Sequence, residues 1–171
     1  MAISLDTLRS AADRPYRMTV AKSLNEARIK RQRTAFLCHS HDDKTLANGL
    51  QILLNENGWD LYIDWQDVAM PEKPTRETAI KIQQKIKELD WFLFLATPNS
   101  VSSKWCPWEI GFADNAKPHS SILIIPTTDR AGGWYGNEYL QLYRRIDTNQ
   151  SGILMAFNEG STIGGISLRS L

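Results

Sequence analysis

Trp91 to Ala96 reads WFLFLA, six apolar residues in succession. A strand with one wet face alternates apolar and polar side chains, whereas a strand covered on both faces reads as a continuous apolar run. Thr34 to Cys38 (TAFLC) and Ile122 to Ile125 (ILII) have the same character. The three predict neighbouring strands of a covered parallel sheet, with Phe36, Leu93, Leu95, Leu123 and Ile125 in its core. Trp59 to Asp64 (WDLYID) alternates more and predicts an edge strand of that sheet.

Helical spacing fills the intervals. Leu46, Leu50, Leu53 and Leu54 recur after the cap-like Asp42–Asp43, and Asn57–Gly58 supplies a stop. Ala79, Ile82, Ile86 and Leu89 mark a second helix, with Lys81, Lys85 and Lys87 on or near its wet side. A third starts near Cys106 or Pro107 and ends before Pro118. Val20 to Arg33 predicts a helix leading into the first strand. NEYLQLYRRI stays open between helix and extended chain, GILMAFNEG predicts a last strand, and the tail predicts a closing turn of helix. Strand and helix alternate, as in a doubly wound α/β domain.

The chain has 171 residues, the size of one domain, with 42% hydrophobic and 23% charged residues. A formal net charge of +1 gives no overall reason to expect a nucleic-acid or membrane surface. Met1 to Arg33 is locally basic, with eight Lys/Arg against three Asp/Glu. Such an arm is either a solvated helix face or a contact for an acidic partner. Two cysteines without a CxxC pair suit a reducing, cytoplasmic location. No signal-like or membrane-length apolar run is present.

Open α/β sheets bind ligands beyond the carboxyl ends of their strands. That edge holds HSHDD after the first strand, WQDVAMPEKPT after the second and TPNSVSSKWCPWE after the third. Cys38, His39 and His41 lack a second cluster to complete a metal site, so no metal is expected. Neither GxxxxGK[ST], GxGxxG nor GxSxG occurs. The third strand ends in LFLATPN, without the aspartate of a phospho-receiver domain.

Glu109 remains, between Trp105, Trp108 and the start of a helix. Pro107 suits the first helical turn, where its missing N–H leaves no gap. In that turn the positive helix end favours an ionised carboxylate. Two accounts stay open on these residues. Glu109 either balances its helix, or faces a cationic transition state such as the oxocarbenium ion formed when an N-glycosidic bond breaks.

Three segments, in order, resemble the boxes of bacterial Toll/interleukin-1 receptor (TIR) domains. TAFLCHSHDD resembles the first-strand box, with Ser40 and Asp43 in characteristic places. GWDLYIDWQDVAMP resembles the second strand and the BB loop that follows it. SKWCPWE carries the WxxxE pattern of the enzymatic members. The match runs from about Thr34 to Pro126, and more weakly to Leu171. The resemblance implies a flavodoxin-like, three-layer fold with a five-stranded parallel sheet, spanning 33–171 behind a basic, partly helical extension over 1–32. It implies cleavage of nicotinamide from NAD, with Glu109 catalytic and Ser40, Trp65, Ser103 and Trp105 around the substrate. NAD is then a substrate, and no cofactor is implied. Cys38 departs from the family, where many members carry Ser.

The chain is also similar to stand-alone TIR proteins of Thoeris anti-phage systems. Those make ADP-ribose or a cyclic isomer as a signal, to which a separate effector protein responds. Self-association through TIR contacts is implied too. The alternatives are a non-enzymatic interaction module, presenting Met70 and Pro71 of the BB loop, or a nucleoside-processing transferase on the same type of sheet.

Overall fold

Five parallel strands form the centre of the computed structural model, which describes residues 1–15, 24–68, 75–136 and 138–171. In chain order the elements are β1 (Ile3–Ser4), α1 (Leu5–Ala12), α2 (Leu24–Ile29), β2 (Arg33–Cys38), α3 (Lys44–Asn55), β3 (Trp59–Tyr62), α4 (Arg76–Glu88), β4 (Trp91–Ala96), α5 (Pro98–Ser102), α6 (Cys106–Ala116), β5 (Ile122–Thr128), β6 (Trp134–Tyr135), β7 (Arg144–Thr148), β8 (Leu154–Phe157) and β9 (Ile166–Ser167). The parallel strands lie in the order β3-β2-β4-β5-β7, and β8 and β9 extend the sheet antiparallel beyond β7. β1 and β6 pair with the carboxyl end of β5, where Ile3 faces Thr127 and Trp134 faces Thr128.

Alternation explains why the central strands are apolar throughout. Leu37, Leu93, Leu95, Leu123 and Ile125 point to one face, where α1 and α3 supply Leu8, Leu46, Leu50 and Leu54. Phe36, Cys38, Phe92, Phe94, Ile122 and Ile124 point to the other, against Ile82 and Ile86 of α4 and Ile110 of α6. Each face of the sheet therefore has its own core. The five predicted core residues are all at most 1% exposed. β3 is the edge strand its alternation predicts, with Trp59 and Leu61 buried and Asp60 and Tyr62 partly wet.

Some expectations shift in detail. The open segment around NEYLQLYRRI resolves into a 3-10 turn over Glu138–Leu142 followed by β7. TPNSVS, which follows the third predicted strand, forms α5 with a Thr97–Ser100 capping box. Of the predicted leading helix, 24–33 falls within the described residues: Leu24–Ile29 is helical, Lys30 and Arg31 form a turn, and Arg33 already begins β2. The predicted last strand is β8, though β9 follows it, and Leu168–Ser170 closes the chain in a 3-10 turn. Met70 and Pro71 lie outside the described residues. Among the described residues, no helix is long and apolar enough to cross a membrane.

Two glycines answer to backbone demands. Gly58 has φ +84° and its N–H bonds Asn55 O at 3.0 Å, turning the chain from α3 into β3. Gly49 lies inside α3, where glycine costs about 1 kcal/mol relative to alanine. It is tolerated because α1 crosses there: a Cβ at Gly49 would sit 1.8 Å from the Leu8 carbonyl oxygen. Gly49→Ala is therefore expected to destabilise the protein by about 1–3 kcal/mol in spite of alanine's better helix propensity. Chemical denaturation checks this, and a stabilised variant would show that α1 does not pack so closely on α3.

Candidate active site at the carboxyl edge of the sheet

The connections after β2 and β4 are latched together by one buried carboxylate. Asp43, expected to cap α3, makes no cap bond and turns its side chain sideways. Thr97 Oγ1 donates to its Oδ2 at 2.5 Å and Asn99 Nδ2 to its Oδ1 at 2.7 Å. Asp43 is buried, as are Thr97 and Ser100. Charge-assisted bonds in a dry setting hold geometry well, and here they fix α5 relative to the end of β2. Ser40 stands one turn earlier, buried, with its hydroxyl accepting from Asp42 N at 3.4 Å.

α6 starts from a second serine. The Ser103 hydroxyl accepts from Trp105 N at 3.1 Å and from Cys106 N at 3.3 Å, serving free donors of the first turn. Pro107 follows in that turn, as the sequence predicts.

Glu109 comes next and points inward, 6% exposed. Burial pushes its carboxyl well above the usual carboxylate range. The nearby Cys106 and Asp64 push the same way through their charges when ionised, while a hydrogen bond from Cys38 opposes them. This corrects the expectation of an ionised first-turn acid. The helix end contributes ~0.3–1 kcal/mol at exposed sites and up to ~2 when partly buried, too little to offset loss of water around a charge. The Cys38 thiol is buried as well and pushed up, chiefly by burial.

The two tryptophans part company. Trp105 packs against the core of the α4–α6 face. Trp108 is 37% exposed, meets Trp105 edge-on at 5.4 Å and stacks on Phe112 at 6.3 Å. Trp105, one helical turn before Glu109, is thus a wall on the acid's side, and Trp108 is an outer prop. Trp65 stands just beyond β3, half-buried, with the Lys44 ammonium 5.5 Å over its ring and its indole N–H buried without a partner. Ser40, Trp65 and Ser103 all occupy the carboxyl edge, and Ser40 and Ser103 spend lone pairs on local backbone.

Asp64, which the sequence places only at the end of WDLYID, and His39, weighed above as a metal ligand, belong to the same group. Asp64 follows β3 and its charge reaches Glu109 and Cys106. His39 Nε2 is 3.8 Å from Asp64 Oδ1. The signal was present: His39 directly follows β2 and Asp64 lies two residues beyond β3, both at the functional edge. Among the described residues, no three His, Cys, Asp or Glu side chains converge as a metal would need.

A cavity of about 970 Å³ opens elsewhere, lined by Trp134, Tyr143, Arg145 and Phe157 among others. It includes none of Glu109, Ser40, Trp65, Ser103 and Trp105. Arg145 there is neutralised by Asp147 at 3.2 Å and rests on the Phe157 ring. That cavity offers space, but a buried acid on an edge that also holds two buried nitrogens without partners is the stronger mark of chemistry, so the carboxyl edge is the candidate site.

Comparison with known proteins bears on this edge. Residues 35–153 match the family model described as TIR domain. The chain is 32% identical over 110 residues to the "Probable 3' cyclic ADP-D-ribose synthase ThsB'" of Bacillus cereus (strain MSX-D12), covering 63% of this chain and 57% of that protein. It is 22% identical over 112 residues to TIR2 of Cytobacillus dafuensis, provisionally named a cyclic ADP-D-ribose synthase, covering 64% of this chain and 29% of that protein. The matched stretch thus spans little more than half of one relative and under a third of the other. With three boxes on three strand ends, the five-strand parallel order and a family match over more than half its length, the chain belongs to the TIR domain family.

Proposed function

We propose that this TIR protein cleaves NAD, releasing nicotinamide and forming ADP-ribose or a cyclic ADP-ribose isomer as a signal in bacterial anti-phage defence. The observation that carries the proposal is Glu109, a buried carboxylate on the ligand-binding edge, one helical turn from Trp105. The names of the two relatives support the same reaction class.

The chemistry follows from charge. The nicotinamide ring of NAD is a cation, and the ribosyl group becomes one as the C–N bond breaks. An isolated buried carboxylate resists ionisation, and a cation placed against it reverses that resistance. A cationic substrate thus favours the ionised form of Glu109, which burial alone disfavours. Its electrostatic work falls on the transition state. Trp105 gives an aromatic face for the ring, and Ser103, Ser40 and Trp65 contact the rest of the substrate. Attack by water gives ADP-ribose, and attack by a hydroxyl or adenine nitrogen of the same molecule gives a cycle. A site that excludes water favours the second. The product is read by a separate effector. Self-association through TIR contacts is part of the reading, supported by Val68, wholly exposed beside the BB loop.

Purified protein incubated with NAD is expected to release nicotinamide, and Glu109→Gln to lower the rate roughly 10²–10³-fold, by analogy with lost oxyanion-hole donors. A variant that consumes NAD like the parent would return Glu109 to a structural role.

The same substitution has a signature in stability. The folded carboxyl titrates above its ordinary value of 4.5, so its stabilising share is complete below that pH and is lost as pH rises through the folded value. Glutamine does not titrate. Melting temperatures measured across a pH series should therefore shift in favour of Glu109→Gln as pH climbs above 4.5. A parent–variant difference independent of pH would mean that Glu109 is not held in a desolvated place.

A further inference from the structure

When water or a ribose hydroxyl captures the ribosyl cation, the attacking oxygen must lose its hydrogen, and that proton is so far unaccounted for. We propose that Asp64 takes that proton, with the His39 ring behind it as the positioning group. The inference rests on the NAD-cleaving reading above and names a residue that reading does not use.

Asp64 has the access that Glu109 lacks. Its side chain is 32% exposed, it follows the edge strand β3, and its Oδ1 accepts from Trp65 N at 2.8 Å. That bond fixes one carboxylate oxygen and leaves the other free to face a ligand. Asp64 is close enough to Glu109 for its charge to be felt there. The edge thus holds two carboxylates in opposed settings, one dry and one wet, and such a division of environments separates acid and base roles.

His39 supplies the independent observation. Its side chain is 3% exposed, and its Nδ1 lies 3.1 Å from the Leu37 carbonyl oxygen. A carbonyl only accepts, so this partner assigns the ring proton to Nδ1 and the lone pair to Nε2. Nε2 is buried without any hydrogen-bond partner and stands 3.8 Å from Asp64 Oδ1. That is beyond hydrogen-bonding distance, so the two are apposed but unbonded in the resting protein. An orphaned acceptor is costly to bury, and it gains a donor as soon as Asp64 becomes a carboxylic acid.

The step balances. The C–N bond breaks with its electron pair going to the nicotinamide nitrogen, which becomes neutral. The attacking oxygen, from water or from a hydroxyl of the same molecule, bonds to the ribose carbon. Its proton passes to the ligand-facing Oδ2 of Asp64, and rotation of the neutral carboxyl group about Cβ–Cγ then turns that O–H toward His39 Nε2 until solvent takes the proton.

The test separates bond cleavage from capture. Exchange of labelled nicotinamide into NAD breaks and remakes the C–N bond and moves no hydroxyl proton. Asp64→Asn keeps an acceptor for Trp65 N–H. It is expected to retain exchange while net NAD consumption falls about 10²–10⁴-fold, the range of general-base effects. His39→Phe should show the same split with a smaller loss, and it decides the matter if Asp64→Asn does not melt cooperatively. Unchanged consumption in these variants overturns the proposal, as does exchange that falls in step with consumption. A parent protein that neither exchanges nor consumes NAD defeats the functional reading itself, and the Asp64 step with it.

Discussion

The constraint on which the structure depends is that β4 has no wet face. Phe92 and Phe94 point one way, Leu93 and Leu95 the other, and all four are fully buried. A strand of that kind needs a partner on each side and a helical layer above and below, which β2, β5, α3 and α6 provide. The parallel register then brings the carboxyl ends of β2, β3 and β4 to one edge. Everything discussed at the candidate site hangs from that edge.

Holding the edge in shape is the work of short polar contacts. Asp43 ties the turn after β2 to α5, and Ser103 starts α6 where the chain leaves α5. Both use backbone or hydroxyl donors that would otherwise lie unpaired in a dry region. With those ends fixed, Glu109 has little freedom to seek water, and its burial follows from where α6 begins. Its raised titration is thus a consequence of packing.

The wider cavity near Trp134 and Phe157 arises from the same architecture. Between β5 and β7 the chain spends its length on β6 and a 3-10 turn, with no α-helix there to cover β7 and β8. The space left is large, but the charges of Arg145 and Asp147 on its wall are already paired, with each other and with the Met1 ammonium. Size and chemical readiness are separate properties of a cavity, and at the Glu109 edge only the second is marked.

The sequence alone determined the layer architecture. WFLFLA, TAFLC and ILII state by their lack of alternation that both faces are covered, and WDLYID states by its alternation that β3 is an edge. It also determined the order of boxes on strand ends, and so the location of Glu109, because chain order and the carboxyl-edge rule need no side-chain packing. What the tertiary structure decided was the charge environment. Helix-start position argues for an ionised Glu109, and only its burial in the folded protein shows that desolvation wins. Asp43 reads as a helix cap until Thr97, 54 residues away, is seen to claim it. Asp64 and His39 lie 25 positions apart in the chain, and pairing of β2 with β3 sets them side by side. Local pattern encodes which face a residue takes, whereas electrostatics depends on which distant groups share that face, and that is fixed only when the sheet closes.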